Sequence, residues 1–492
     1  MLGYDITDPR SIESYAQKLI GRTFHDVYEH PVEGYQECMG EEYTYENVKR
    51  KGSLGNLLEI AYFAYTPNSK SAPDFEEAGV ELKVTPYEEN KDGRLRAGER
   101  LSLTMIDYKN PIASDLYDSH LWYKCQLMLL VFYFRNKAIK DKMLYEIRYV
   151  GLFRPSDEDL VIIESDYRII VQKIKAGRAH ELSEADTLYL SAATKGKDSS
   201  KLTLQYYPTT YGVNELAKPR AFSYKASYMT YVLNHHIRKI PDADDRIVKD
   251  VAKLRQERFE GYIMRCIDHY IGLSDKEICD MLYMDYNPNV KNFYSQLSFA
   301  MLGIRTNRAE EFEKANIEVK TIRLEENGTM RESMSFPTFR FKEVAEEEWL
   351  TSDIYRRFSE TKYLFVVFQK KGFRYILRGS LLWNMPYHDL NYTAKREWEM
   401  FHDTIKRGIK LTIVDGDRVL NDLPKASETE ILHIRPHASQ KYYEFPDGTI
   451  LGPGSRANAN QLPDGTWMVN HCFWLNKSYI MKQLGVIKTI IK

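Results

Sequence analysis

Pro73-Asp74-Phe75-Glu76-Glu77-Ala78-Gly79-Val80-Glu81-Leu82-Lys83 is the stretch on which the fold turns. Its second half alternates: Val80, Leu82 and Val84 are apolar, Glu81 and Lys83 charged. Successive side chains on a strand point to opposite faces. The spacing therefore predicts a strand with Val80, Leu82 and Val84 towards a core and Glu81 beside Lys83 on the other face. Asp74 falls on the preceding turn, within reach of that second face. Two carboxylates and one ammonium then converge at a sheet edge. A hard cation such as Mg²⁺ takes carboxylate oxygens, water and substrate phosphate. It polarises the phosphate and acidifies the attacking water, while a neighbouring lysine orients that water or offsets developing charge. The pattern points to metal-assisted phosphodiester hydrolysis. A plain surface strand with a Glu–Lys pair reads the same way, so the context must decide. Upstream, Leu57-Leu58-Glu59-Ile60 sets one carboxylate in an apolar helical run, where it needs a partner.

The chain around this stretch has 492 residues, too many for one ordinary domain. Its 43% hydrophobic and 28% charged residues exclude a disordered or fibrous protein. The 69 Lys+Arg balance 70 Asp+Glu, so bulk positive charge cannot hold it to nucleic acid, although a local basic cleft can. Cys38, Cys125, Cys266, Cys279 and Cys472 are scattered without CxxC spacing, which argues against disulfides or structural zinc. The N-terminus has no secretory pattern, and the apolar run Leu127–Phe134 is too short for a membrane span. The expected setting is the cytoplasm. No P-loop or GxGxxG fingerprint is present, so no nucleotide cofactor is expected.

Self-similarity organises the length. Val80-Glu81-Leu82-Lys83 followed by Glu88-Glu89-Asn90 is repeated as Ile317-Glu318-Val319-Lys320 followed by Glu325-Glu326-Asn327. Ser114-Asp115-Leu116-Tyr117 matches Ser352-Asp353-Ile354-Tyr355. The helical pattern led by Asp166-Tyr167 matches the one led by Glu397-Trp398. Leu188-Tyr189-Leu190 matches Leu432-His433-Ile434, and Phe222 with Ser227-Tyr228 matches Phe473 with Ser478-Tyr479. These five pairs keep their order, which predicts two copies of one fold at 1–240 and 245–492, joined near Lys239–Asp244. Each copy mixes helices and strands, an α/β or α+β arrangement around a mixed sheet.

Lys51-Gly52-Ser53-Leu54-Gly55-Asn56-Leu57-Leu58-Glu59, then Asp74-Phe75 and Gly79-Val80-Glu81-Leu82-Lys83 with Pro86, resembles the MutH family of DNA endonucleases. Ser119-His120-Leu121-Trp122-Tyr123-Lys124 and Pro219-Arg220-Ala221-Phe222-Ser223-Tyr224-Lys225 resemble two later segments of that family. The resemblance implies the PD-(D/E)xK nuclease fold in two tandem restriction-endonuclease-like domains, similar to type II restriction enzymes that cut double-stranded DNA at GATC. It implies that Asp74 and Glu81 hold Mg²⁺, that Lys83 acts on the attacking water, and that Glu59 and Lys124 complete the site. The DNA-contacting residues it suggests in the first copy are Lys51, Lys195, Lys197, Lys201, Arg220, Ser223, Tyr224 and Lys225.

The second copy keeps Glu318 and Lys320, and sequence spacing matches Glu311 to Asp74 and Lys362 to Lys124. Its counterpart of Glu59 falls near Ser298, and the KGxxG stretch has no match. This copy is expected to be catalytically weak or inactive. Ile434-Arg435-Pro436-His437-Ala438 resembles a family segment lying against the recognition bases, and Phe473-Trp474-Leu475-Asn476-Lys477 resembles another. Arg435, His437, Trp474 and Lys477 are therefore expected DNA contacts. The expected division of labour has the first copy cutting and the second binding a further GATC as an effector, with self-association on DNA. Two other readings stay open: a mismatch-repair strand nickase, and a non-catalytic DNA-binding protein with a nuclease-derived fold.

Overall fold

The structure, a computed structural model, describes residues 3–32, 53–65, 72–90, 93–136, 138–195, 201–212, 214–241, 245–248, 251–414 and 418–485. The chain divides into two compact units, 1–259 with 308–316, and 260–307 with 317–492. The division falls later than the proline-containing segment at 239–244, and a short piece of the second copy's sequence packs within the first unit.

In unit one, a helix α1 (Ser53–Leu57) runs into a π-turn at Leu58–Tyr62. The first sheet has the order β2 (Leu95–Ala97), β1 (Glu81–Glu89), β4 (Met128–Phe134), β5 (Ile147–Phe153). β1 and β4 are parallel, with Glu81 opposite Met128. A parallel pair needs a crossover, and the last leg of this one is α2 (His120–Cys125), whose N-cap Ser119 accepts a hydrogen bond from Trp122 N. β4 is apolar along its buried length because both of its faces are covered. Leu57, Leu58, Val80, Leu82, Leu129 and Val131 lie together in one core cluster. The second sheet has the order β3 (Leu101–Met105), β9 (Arg220–Tyr224), β6 (Leu190–Thr194). Between β6 and β9 stands a small hairpin of β7 (Thr203–Leu204) and β8 (Leu216–Ala217). A long helix α3 (Asp157–Lys175) carries acidic residues in its first turn and lysines in its last, as the helix dipole favours. The short helix α4 (Glu310–Ala315) also belongs to this unit.

Unit two repeats the plan. β10 (Ile317–Leu324) pairs in parallel with β12 (Lys362–Lys371), which pairs antiparallel with β13 (Arg374–Trp383). The helix before β12 is α5 (Asp353–Glu360), capped by Ser352. A second sheet has the order β11 (Met334–Thr338), β21 (His471–Leu475), β16 (Leu432–Pro436), the counterpart of β3-β9-β6. The long helix is α6 (Lys395–Arg407). A hairpin of β14 (Leu411–Val414) and β15 (Arg418–Asn421) follows it. A four-stranded sheet, β17 (Tyr443–Glu444), β18 (Ile450–Leu451), β19 (Ala459–Gln461) and β20 (Trp467–Val469), stands where unit one has its hairpin.

One hydrogen-bond pattern ties the copies together. Asp166 on α3 accepts from the backbone amides of Leu188, Tyr189 and Leu190, at 2.8, 2.6 and 2.9 Å. Glu397 on α6 accepts from those of Glu430, Ile431 and Leu432, at 2.5, 3.1 and 2.8 Å. Each carboxylate thus anchors the entry to the next strand. The pattern aligns Leu190 with Leu432, two residues away from the match suggested by sequence.

Cys125, Cys266, Cys279 and Cys472 carry free thiols. Among the described residues no helix is long and apolar enough to cross a membrane. His471 is buried on β21 with Nδ1 2.6 Å from Val469 O, and burial pulls its pKa down to about 4. Unfolding restores the ordinary value near 6.5, so the unfolded chain binds the extra proton between the two. Unit two should lose on the order of 3 kcal/mol as pH falls from about 6.5 to about 4. Denaturant melts across that window, compared with His471→Gln, check it: the variant should show a flatter profile.

Candidate active site

Asp74 reaches the strand because the chain doubles back on itself. Phe75 bridges Val80, a single 3₁₀ turn covers Glu76–Ala78, and Gly79 closes it at φ 65°, a left-handed conformation that glycine adopts without strain. Asp74 Oδ2 accepts from Leu82 N at 2.9 Å, and Asp74 N donates to Glu81 Oε2 at 3.2 Å. Lys83 Nζ donates to Glu81 Oε1 at 2.7 Å and to the Leu103 carbonyl on β3 at 3.4 Å. Lys124, in the last turn of α2, brings its Nζ within 3.3 Å of the same Glu81 Oε1. Glu59, on the π-turn after α1, feels Asp74, Glu81, Lys83 and Lys124 electrostatically. The structure therefore gathers all five residues expected to form the site.

The charges do not balance. Among the described residues, Asp74, Glu81 and Glu59 face the Lys83 and Lys124 ammonium groups. Burial first, and then repulsion from Glu81, raises Asp74 to about 6. Burial, then Asp74 and Glu81, raises Glu59 to about 7. Burial alone would lower Lys83, but Cys125, Glu81 and Asp74 together hold it above the usual lysine value. Burial is the larger cause of both carboxylate shifts, and the neighbouring carboxylates add to it. Among the described residues, no group of three or more His, Cys, Asp and Glu side chains is already drawn together around a metal position. Glu81 is instead turned onto the two lysines.

In unit two the register corrects two assignments made from spacing. Glu318 lies opposite Tyr363 as Glu81 lies opposite Met128. Counting back from these partners, the position of Lys124 is taken by Ser359. Lys362 is instead the first residue of β12, buried, with Nζ 2.5 Å from Glu260. Ser352 caps α5, whereas Ser114 lies five residues before Ser119, the cap of α2, so matching Ser114 to Ser352 misplaced the lysine. Glu311 is likewise not the working counterpart of Asp74. It sits inside α4, and its carboxylate accepts from the amides of Ile247 and Val248 at 3.1 and 2.9 Å. The bond that Asp74 makes to Leu82 N is made by Asn307, whose Oδ1 accepts from Val319 N at 3.1 Å. Asn307 Nδ2 donates to the Ile317 carbonyl at 3.2 Å.

Sequence reasoning missed Asn307 because α4 adds about one helical turn between it and the strand. The left-handed turn itself is kept, with Asn316 at φ 53° in the place of Gly79. An alignment allowing one helical turn of insertion before the strand would have found it. Arg357 on α5, with Nη1 3.0 Å from Glu318 Oε1, was also missed, because its place in unit one is held by Trp122. Lys320 Nζ lies 3.2 Å from Glu318 Oε2. The helix Phe293–Met301 contains Ser298 and no acidic residue, so nothing on it replaces Glu59.

The expected DNA contacts divide. Lys51 and Lys197 lie outside the described residues. Lys195 and Lys201 are exposed. Arg220, Ser223, Tyr224 and Lys225 are buried, against expectation. β9 is the middle strand of its sheet and is buried along its whole length, and Lys225 follows it directly. Arg220 donates to the Ala192 carbonyl at 2.7 Å, and Lys225 to the Thr187 carbonyl at 2.5 Å. Arg220 thus ties β9 to β6, and Lys225 ties the end of β9 to the turn before β6. In unit two, Arg435 is exposed at the end of β16, with its guanidinium carbon 3.6 Å from the centre of the Trp474 ring. Trp474 is largely buried, flanked by His433 and His437 at ring separations of 6.2 and 5.6 Å. It supports Arg435 as a platform more than it offers a face of its own. Arg435, His437 and Ser439 line an open hollow of about 410 Å³. Lys477 is exposed at the start of the last helix, Lys477–Leu484.

A parallel strand pair with an acid-x-lysine edge, a preceding aspartate and a second lysine from the crossover helix defines a PD-(D/E)xK nuclease. The family described as DNA mismatch repair enzyme MutH matches residues 63–166 and 302–393, one segment in each unit. The type II restriction enzyme Sau3AI of Staphylococcus aureus is 33% identical over 473 residues, which span 89% of this chain and 94% of that enzyme. The DNA mismatch repair protein MutH of Shewanella woodyi is 26% identical over 39% of this chain and 80% of its own length. The chain belongs to the MutH-like type II restriction endonucleases and is a site-specific DNA endonuclease of two tandem MutH-like domains.

Proposed function

We propose that this endonuclease cuts double-stranded DNA at GATC with Mg²⁺, that unit one hydrolyses the phosphodiester, and that unit two binds a further site as an effector. The observation that carries the division is the pair Asp74 and Asn307, a carboxylate and an amide on equivalent strand amides. In unit one, Asp74 and Glu81 would hold Mg²⁺, and the excess negative charge of the site suits a divalent cation. When bound, that ion supplies polarisation of the scissile phosphate and acidification of water. Lys83, held by Glu81 and the Leu103 carbonyl, is positioned to orient the attacking water. Lys124 offsets charge developing on the phosphate. Glu59 would complete the site beside Lys83 and Lys124, whose charges favour its ionised form. In unit two, Arg435 projects from a strand end on a tryptophan platform, a geometry suited to the O6 and N7 edge of guanine.

One competent centre per chain cannot cut both strands of a palindrome at once. Two chains meeting on DNA, or two successive nicks, would complete the break. Purified protein with Mg²⁺ and plasmids carrying unmethylated, hemimethylated or fully methylated GATC tests the reading. Linear fragments without added partner proteins are expected. Nicked circles on hemimethylated DNA alone would assign it to strand-directed repair, and tight binding with no cleavage would overturn the chemistry given to unit one.

A further inference from the structure

The residues around Glu318 do not suit a divalent cation. Asn307 brings a neutral amide to the position of the acid, and the helix Phe293–Met301 contributes no carboxylate. Glu318 already accepts from Arg357 at 3.0 Å and lies 3.2 Å from Lys320. Lys362 and Glu260 cancel one another as a close pair. What remains is one carboxylate against a guanidinium and an ammonium, where unit one has three carboxylates against two ammonium groups. Among the described residues, the sign of the charge is reversed between equivalent positions of the two copies.

The cluster is also accessible. The side chains of Glu318, Lys320 and Arg357 are 31%, 31% and 30% exposed. Arg357 lies over the Phe336 ring, 5.8 Å from its centre, which limits its swing. Each cation uses one donor on Glu318 and has others to give, since a guanidinium carries five N–H groups and an ammonium three. An oriented guanidinium suits the oxygens of a phosphate.

We propose that the Asn307–Glu318–Lys320–Arg357 cluster binds a backbone phosphate of duplex DNA without a divalent cation and without cutting it. The proposal rests on the reading that unit two binds DNA. Unit one, with net negative charge, repels a phosphate until a cation enters; unit two attracts one directly. The effector copy would then stay on DNA whether or not metal is present.

The test is binding of the full chain to a GATC duplex in EDTA, across a salt series. Arg357→Gln and Lys320→Gln are each expected to weaken binding about ten-fold, and the double variant to reduce the slope of log K against log salt by about one, the share of a single phosphate. Arg357→Lys should retain most of the affinity. Asn307→Asp should lower affinity in EDTA and make it recoverable with Ca²⁺. Matching thermal melts establish that the variants are folded. Arg435→Ala is the control for DNA binding by unit two. If it weakens binding while the Arg357, Lys320 and Asn307 variants bind like the parent, the phosphate site is wrong and the effector reading stands. If none of the variants, Arg435→Ala included, changes binding, both fall.

Discussion

Asp74→Asn is expected to reduce DNA cleavage by at least about a thousand-fold while leaving the fold intact. A carboxylate that holds a catalytic cation contributes several kcal/mol to the transition state, and each 1.36 kcal/mol is about a factor of ten in rate. The amide keeps the acceptor that Leu82 N requires, because Asn307 performs that task for Val319 N in unit two. The protein thus contains its own precedent for a folded but uncharged version of the site. Single-turnover cleavage of a GATC duplex measures the loss, and a melting temperature within about a degree of the parent shows that the loss is chemical. Cleavage within ten-fold of the parent would remove Asp74 from the metal-binding role.

Glu397→Ala is expected to destabilise unit two by about 3–5 kcal/mol. Its carboxylate receives three backbone N–H groups at the entry to β16, and those of Ile431 and Leu432 are buried. An unsatisfied buried donor costs about 1–3 kcal/mol, and three at one point are only partly rescued by water. Asp166→Ala should do the same to unit one, where burial raises the carboxyl to about 6 despite three amides that favour its charge. Because β16 carries Arg435 near its end, Glu397→Ala should also weaken DNA binding. Urea unfolding followed by probes in each unit measures both effects. An unchanged unit-two midpoint for Glu397→Ala would mean that the amides find other partners.

The fold was legible wherever a residue's role is set by neighbours close in sequence. The alternation at Val80–Val84 marked β1, and the Asp166 and Glu397 helices were matched by the acid-aromatic pairs that lead them. Gly79 and its turn brought Asp74 to Glu81 as the pattern requires. The errors arose where tertiary structure intervenes. One extra helical turn in α4 displaced Asn307 from the position that spacing assigned to Glu311. Equating Ser114, which precedes the cap of α2, with Ser352, the cap of α5, moved the match of Lys124 from Ser359 to Lys362. Arg220 and Lys225 read as groove contacts because a sequence does not reveal that β9 and the residue after it are buried. Their charges are spent on the carbonyls of Ala192 and Thr187. Arg357 carried no signal, since its meaning depends on Glu318 across the parallel pair.

The central claim is that one unit cuts and the other holds DNA. Time-resolved cleavage of a supercoiled plasmid by Glu318→Gln addresses it directly. The account predicts that this variant makes linear product in both strands at a rate within a few-fold of the parent. Accumulation of nicked circles that never become linear would mean that unit two cuts one strand, and would contradict the account.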